Sequence, residues 1–215
     1  MLTQNIMKIY FDGCSNTWGA ELQDNLKSRY SRLVCDHFDA EEYNIALKGG
    51  STKRVVRNLL KHDLSDYDMF VIQFTHKVRG EWYDEENKKW RKIQRNKQDI
   101  KYKKLWVNYH KYIYTNELGD LDAMINYTLV RTLLKDKPHV IIGLDFPWDY
   151  SFSTDSKDSI PVPLDIRYSY GEPKKFMGRY LNTSQYLKKI PRKPYSHPNE
   201  DGHKMIADDI IRWFA

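Results

Sequence analysis

The feature of this sequence that most constrains its fold is a repeated alternation of short apolar runs with amphipathic segments. Residues 7–11 alternate apolar and polar side chains, and residues 42–46 are a second candidate strand. Residues 68–74 form a continuous apolar run typical of a sheet centre, and residues 138–146 form another. Because helical patterns separate these strands, we expect an α/β protein, a three-layer α/β/α sandwich around a central parallel sheet.

The segments between the strands carry helical periodicity. A period of four residues predicts one helix after the first strand, with this apolar face: Trp18, Leu22, Leu26 and Tyr30. Ser51 is a candidate N-cap for a second helix. The apolar face of that helix would consist of Val55, Val56, Leu59 and Leu60. A long helix over residues 106–135 is predicted to bury a third: Leu118, Leu121, Met124, Ile125, Leu129 and Leu133. A final helix from about residue 199 is predicted to bury a fourth: Met205, Ile206, Ile210, Ile211 and Phe214.

The charge of the chain is concentrated in one segment. At 215 residues the chain fits a single domain over residues 1–215, with a basic insertion at about 81–105. Residues 88–104 hold nine basic residues and one acidic residue, a local charge of +8 against a net charge of +6. Such a run can contact phosphates, but it is more often a solvated surface segment. We therefore do not expect nucleic acid as a partner.

Other features bound the location and the chemistry. The chain has no run of eighteen apolar residues, so no membrane partner is expected. Its first residues lack the pattern of a signal peptide, and Cys14 and Cys35 make no disulfide framework, so the sequence predicts a soluble cytoplasmic protein. The seven histidines include no close ligand pair, so no metal is expected.

One turn stands out as a candidate site. Gly13-Cys14-Ser15-Asn16-Thr17-Trp18-Gly19 follows the first strand and opens a helix, so Ser15 faces the crevice where open α/β sheets bind ligands. The alternative is a plain helix cap at Ser15 or Asn16. Three further polar blocks adjoin a strand end or a helix start: Asn44-x-Ala46-x-x-Gly49, Gln73-Phe74-Thr75-His76 and Ser196-His197-Pro198-Asn199-x-x-Gly202-His203.

The order and spacing of these four blocks resemble the SGNH (GDSL-type) hydrolases. The first block, Gly-Cys-Ser-x-Thr-x-Gly, is similar to that of divergent members from phages and viruses, and the resemblance spans residues 7–214. It implies an SGNH-hydrolase, flavodoxin-like fold that needs no cofactor. It also implies Ser15 as the nucleophile, His197 as the general base, and an oxyanion site at the N–H groups of Ser15 and Gly49. Thr75 takes the family's asparagine position, and His76 beside it is a candidate to line the cleft.

The chain departs from the family at two positions. Thr75 replaces an asparagine, and Pro194 stands three residues before His197, where the family has its acid. A backbone carbonyl of residues 192–196, or a carboxylate such as Asp145 or Asp12, could serve the imidazole instead.

The resemblance implies hydrolysis of a small-molecule or carbohydrate ester through a Ser15 acyl-enzyme. The alternative is a catalytically weakened member that binds a glycan or a protein partner. For a viral protein, the location would be the host cytoplasm or the virion. The particular substrate and the oligomeric state stay open.

Overall fold

A central parallel sheet organises the molecule. In a computed structural model, which describes residues 6–93, 102–143 and 197–214, four strands pair in parallel in the order β2-β1-β3-β6. The strands of this sheet are β1 (Lys8–Asp12), β2 (Glu41–Asn44), β3 (Met69–Phe74) and β6 (His139–Gly143). The predicted α/β class with a central parallel sheet is confirmed. The last part of the fourth predicted strand, residues 144–146, lies outside the described residues.

Helices connect the strands. Their bounds are α1 (Ser15–Trp18), α2 (Asn25–Ser28), α3 (Tyr30–Phe38), α4 (Thr52–Leu59), α5 (Lys103–Asn108), α6 (Asn116–Leu133) and α7 (Glu200–Phe214). A 3-10 turn covers Leu64–Asp66, and a π-helical turn covers Tyr109–Ile113. None of these helices is long and apolar enough to cross a bilayer, within the ranges that the structure describes.

The sheet has one hydrophobic core on each face. Alternate residues of a strand point to opposite faces, so Phe11 and Val71 belong to one core while Tyr10 and Phe70 belong to the other. Helices α3 and α7 pack on the first face, and α4 and α6 cover the second. The described elements therefore form the three layers that the alternation of strands and helices predicts.

The segment after β1 differs from the single helix that the sequence predicts. Three short helices, α1, α2 and α3, replace it. Gly19 ends α1 in the left-handed conformation with φ 80°, and Glu21 also has a positive φ of 70°. Two left-handed residues two positions apart reverse the chain, which a continuous helix cannot do. Leu26 consequently lies exposed rather than on a buried face.

The predicted long helix over residues 106–135 is also divided. Its last part is α6, which starts afresh at its N-cap Thr115. The buried side of α6 carries Gly119, Ala123, Asn126 and Val130. Three residues of the predicted apolar face are 41–52% exposed: Leu121, Ile125 and Leu129. Ala123 and Val130 enter the core of this face, whereas the larger side chains point away.

Two other predictions about apolar helix faces hold in part. Ser51 caps α4, and Val55, Val56 and Leu59 are buried, but Leu60 lies exposed just beyond the last turn. Helix α7 buries Ile206 and Ile210 as predicted, while Met205, Ile211 and Phe214 are only partly buried.

The basic segment contains a β-hairpin that the sequence analysis did not predict. Strands β4 (Gly80–Asp84) and β5 (Lys89–Ile93) pair antiparallel. The hairpin rests on α4 through a salt bridge from Arg57 to Glu81, with Nε and Oε1 2.9 Å apart, and through the Arg57 guanidinium over the Trp90 ring. Part of the predicted insertion, residues 94–101, lies outside the described residues.

Candidate active site

The candidate site lies at the edge of the sheet where the parallel strands end. Ser15 follows β1, the Gly49 loop follows β2, and Thr75 directly follows β3. Parallel strands end on the same side, so the three segments meet there. The strand order reverses between β1 and β3, and this switch point is where open α/β sheets bind ligands.

Ser15 is the first residue of α1, and its hydroxyl is not the cap of that helix. The N-cap residue is Cys14, whose side chain makes no capping bond. Instead, Gln73 Oε1 on β3 accepts the Thr17 N–H at 3.3 Å and the Thr17 hydroxyl at 2.7 Å. The alternative of a plain cap at Ser15 or Asn16 is therefore wrong. Ser15 is 8% exposed, and its Oγ donates a long contact of 3.9 Å to Cys14 Sγ.

A glycine is required at position 13, immediately before Cys14 and Ser15. A side chain at Gly13 would overlap the Thr17 hydroxyl and would place its Cβ 2.7 Å from the Gln73 Cβ. Cys14 itself is buried in the core, with its thiol 3.4 Å from Gln73 Oε1. These contacts put Cys14 in a packing position and leave Ser15 at the start of the helix.

The Gly49 loop is attached to the Ser15 loop. The Leu47 N–H donates to the Gly13 carbonyl at 3.2 Å, and the Lys48 ammonium lies 3.6 Å from the centre of the Trp18 ring. Gly49 has a φ of 71°, a conformation that favours glycine. Within the described residues, its N–H donates to no protein acceptor. The first N–H groups of a helix also lack an intrahelical partner, and Ser15 supplies the first of α1.

Thr75 and His76 line a cleft of their own. Thr75 is 3% exposed, its N–H donates to Thr52 Oγ1 at 3.1 Å, and its own hydroxyl has no hydrogen-bond partner among the described residues. With His76, Arg79 and Asn126 it borders a cleft between α4, the end of β3 and α6. Neither Ser15 nor Gly49 nor His197 lines this cleft. Thr75 is thus joined to the first residue of α4 through its backbone, while its hydroxyl borders a separate cleft.

His197 meets a carboxylate that the sequence analysis missed. Its Nδ1 lies 3.1 Å from Glu21 Oε1, and its backbone N–H donates to Glu21 Oε2 at 3.2 Å. Oε1 lies off the direction of a ring N–H bond, so the ring contact is an ion-pair distance without an aligned hydrogen bond. Glu21 follows the C-terminal end of α1, the helix that begins at Ser15.

A buried chain of hydrogen bonds connects α7 to α1. His203 is fully buried, and its Nδ1 accepts the Tyr30 N–H at 3.0 Å. The Tyr30 hydroxyl donates to Thr17 Oγ1 at 2.7 Å, which in turn donates to Gln73. His203 also stacks on the Tyr30 ring, with the ring centroids 5.7 Å apart. The segments that carry Ser15 and His197 are therefore fastened to one another.

Asp12 is not available as a partner for the histidine. Its Oδ1 accepts the Gly13 N–H at 2.7 Å and an Arg54 N–H at 2.6 Å, and its Oδ2 accepts from Asn58 Nδ2 at 2.8 Å. This fully buried carboxylate holds the start of the turn against α4. Asp145, Pro194 and the loop 192–196 lie outside the described residues.

The sequence analysis did not predict the roles of two polar residues at this edge of the sheet. Gln73 belonged to a predicted block, but nothing local shows that it caps a helix 56 residues away. Glu21 is 176 residues from His197, and no motif connects them. Among the described residues, no three His, Cys, Asp or Glu side chains are grouped as metal ligands.

The fold and the site define a class of protein: a parallel α/β sheet with a serine at a helix start, at the switch point, and a histidine–carboxylate pair at the other end of that helix. A scan of protein-family profiles finds no match to the sequence, and a search of curated proteins finds none.

Solved structures similar to this one are esterases and lipolytic proteins. One is a member of the lipolytic G-D-S-L family from Veillonella parvula, with a TM-score of 0.45 and 13% identity over 96% of this chain and 97% of the other. Another is a catalytic mutant of an acetylxylan esterase from Geobacillus stearothermophilus (TM-score 0.46, 16% identity, 100% and 97% coverage). A third is an α/β hydrolase from the metagenome of Lake Arreo (TM-score 0.47, 15% identity, 96% and 94% coverage). All three TM-scores are below 0.5, so the function proposed for this chain rests on its own residues.

Proposed function

We propose that this chain is a serine ester hydrolase of the SGNH type, with Ser15 as nucleophile and His197 as general base. The observation that carries the proposal is the release of Ser15 from capping. The N-cap residue Cys14 makes no capping bond, and Gln73 accepts the Thr17 N–H from the neighbouring strand. The Ser15 hydroxyl therefore caps nothing and lies at the switch point, beside its own backbone N–H.

The proposed reaction has two halves. His197 takes the Ser15 proton as Oγ attacks the carbonyl carbon of the ester, and the resulting oxyanion accepts hydrogen bonds from the N–H groups of Ser15 and Gly49. The C–O bond then breaks, and the alcohol leaves with the proton that His197 returns. A water molecule, deprotonated by the same imidazole, then attacks the carbonyl carbon of the acyl-enzyme. The bond from that carbon to Ser15 Oγ breaks, His197 returns the proton to Oγ, and the acid is released. Thr75 and His76 border the separate cleft between α4, β3 and α6, so the proposed oxyanion donors are the N–H groups of Ser15 and Gly49.

The proposed substrate is a small acyl ester or an O-acyl group on a carbohydrate. Hydrolysis of either needs only the nucleophile, the base and the oxyanion donors named above, without a cofactor. Trp18 and Lys48 border the same edge of the sheet and would contact the alcohol or carbohydrate part of the ester.

The first prediction tests the nucleophile. A fluorophosphonate probe should label the wild type, and Ser15→Ala should abolish both the labelling and the hydrolysis of p-nitrophenyl acetate, because the attacking oxygen is gone. Ser65→Ala is the matched control, since Ser65 is an exposed serine beyond the opposite edge of the sheet. Mass spectrometry of the labelled peptide identifies the modified residue.

Two results would overturn this assignment. Labelling that persists in Ser15→Ala and disappears in Cys14→Ala would transfer the role to the thiol. A folded wild type that neither reacts with the probe nor hydrolyses p-nitrophenyl acetate or an acetylated xylo-oligosaccharide would favour the alternative, a weakened member that binds a glycan or a protein.

A further inference from the structure

The most informative unassigned contact in the molecule is the one between Glu21 and His197. The two carboxylate oxygens take different parts of the same residue: Oε2 accepts the His197 backbone N–H at 3.2 Å, and Oε1 lies 3.1 Å from the ring Nδ1. A single carboxylate thus holds both the main chain and the imidazole of the proposed base. The Glu21 side chain is 46% exposed and that of His197 25%, so the pair borders solvent rather than the core.

The backbone conformation of Glu21 is energetically unfavourable. Glu21 has a φ of 70°, a left-handed conformation that is unfavourable for a residue with a Cβ. It follows Gly19, which ends α1 with φ 80°, and Ala20, whose N–H donates to the Ser15 carbonyl at 2.9 Å. The turn therefore ties the residue before Glu21 directly to the proposed nucleophile. Strain of this kind in a non-glycine residue is concentrated at functional sites.

We infer that Glu21 is the positioning carboxylate of His197, supplied by the turn after the helix that carries the nucleophile instead of by the loop before the histidine. A carboxylate at Nδ1 keeps the proton on that nitrogen, so Nε2 carries the lone pair that can accept the proton of Ser15. It also stabilises the imidazolium that forms. The off-line approach of Oε1 fits this role, since catalytic hydrogen bonds are often poorly aligned without substrate and tighten when it binds.

The titratable residues near His197 provide a control variant. The titratable groups at this end of α7 include Glu200 and Asp201, in the first turn, and His203, which is buried behind them. Glu200 is exposed and has the same chemistry as Glu21. Glu200→Gln is therefore a matched control that removes a nearby carboxylate without touching the contact.

The second prediction tests Glu21 by activity. Glu21→Gln, which keeps the shape and loses the charge, should lower kcat for p-nitrophenyl acetate at least about tenfold with little change in KM. The loss should be smaller than the roughly 10⁴-fold loss from neutralising a buried triad acid, because Glu21 is half exposed. Glu21→Asp should retain more activity than Glu21→Ala, and Glu200→Gln should behave as wild type.

A second readout does not need turnover. In ¹⁵N-labelled protein, the His197 ring should be protonated mainly at Nδ1 in the wild type and in Glu200→Gln, and Glu21→Gln should shift the tautomer towards Nε2. Glu21→Gly removes both the carboxylate and the strain, so its melting temperature should equal or exceed that of the wild type while its kcat falls.

The outcomes separate this inference from the proposed function on which it rests. If Ser15 is labelled but Glu21→Gln changes neither kcat nor the tautomer, Glu21 is not the positioning residue and the hydrolase proposal stands. If the tautomer follows Glu21 but Ser15 never reacts, the pairing holds and the hydrolase proposal fails. A low kcat in Glu21→Gly together with a lowered melting temperature, and no change of tautomer in Glu21→Gln, would make Glu21 merely structural.

Discussion

At the scale of single residues, the buried carboxylate of Asp12 shows how the candidate site is supported. It receives three hydrogen bonds, from the Gly13 N–H, Arg54 and Asn58, and Arg54 also donates to the Ile45 carbonyl. One ion pair thus joins the end of β1, the loop after β2 and the first turn of α4. Since both partners are largely buried, the pair is sensitive to the loss of either one.

The third prediction concerns this ion pair. Asp12→Asn should lower the free energy of unfolding by about 3 kcal/mol, because it leaves the Arg54 guanidinium buried without its counter-charge. Urea unfolding at pH 7 measures the loss. Glu85→Gln, which breaks the exposed pair with Lys88, is the control and should leave the stability unchanged. Equal effects of the two substitutions would mean that the Asp12–Arg54 pair stabilises no more than a surface contact.

At the scale of elements, the β4–β5 hairpin gives the basic segment a structural role. Its turn is held by Asp84, which accepts hydrogen bonds from Asn87, Arg91 and Tyr102. Desolvation opposes ionisation of this carboxyl, but these donors prevail and lower its pKa to about 2. The other end of β5 reaches the candidate site, since the Lys92 ammonium donates to the carbonyl of Lys48, next to Gly49. Arg91 and Lys92 are therefore bound within the fold, whereas Lys88 and Lys89 project into solvent.

The fourth prediction separates these two kinds of basic residue. The double substitution Lys88→Gln and Lys89→Gln should change neither the melting temperature nor the binding of single- or double-stranded DNA, because both side chains are solvated. Arg91→Gln should make the hairpin more susceptible to limited proteolysis, since Asp84 loses its charged partner. Tight DNA binding that falls steeply with salt and disappears in the lysine double variant would instead identify a nucleic-acid site.

At the scale of the whole molecule, α7 covers one face of the sheet and packs against α3 beside β1. Ile206, Ala207 and Ile210 enter the core that β1 and α3 share, and His203 on the buried side of α7 accepts a hydrogen bond from the Tyr30 N–H of α3. Burial lowers the pKa of His203 to about 4, against the opposing charge of Glu200. The imidazole is therefore neutral at pH 7 and accepts the Tyr30 N–H.

The fifth prediction follows from that pKa. Between pH 6.5 and about 4 the unfolded chain binds a proton at His203 that the folded protein does not, so stability falls as the pH is lowered through this range. The full loss from this group is about 3 kcal/mol, since each pKa unit corresponds to about 1.4 kcal/mol. Urea unfolding at pH 7, 5.5 and 4.5 should show it. His203→Asn keeps an acceptor for Tyr30 but does not titrate, so its stability should depend less on pH. Parallel pH dependences for the two proteins would contradict the assignment.

Local sequence patterns determined the elements of this protein and their alternation. The buried runs of β1 and β3, the cap at Ser51 and the apolar face of α7 are readable because the periods of strands and helices are set within a few residues. The alternation of these elements predicts the parallel sheet. The positions of Ser15 and Gly49, each just after a strand, followed from the same pattern.

Tertiary structure alone decided the partners of the site and the faces of the helices. Gln73 caps α1 across 56 residues, and Glu21 meets His197 across 176, because the sheet brings distant segments to one edge. The buried face of α6 is the one that carries Ala123 and Val130, while three larger apolar side chains of the predicted face lie exposed. Contacts of this range depend on strand order and on the handedness of the connections, which no local period records.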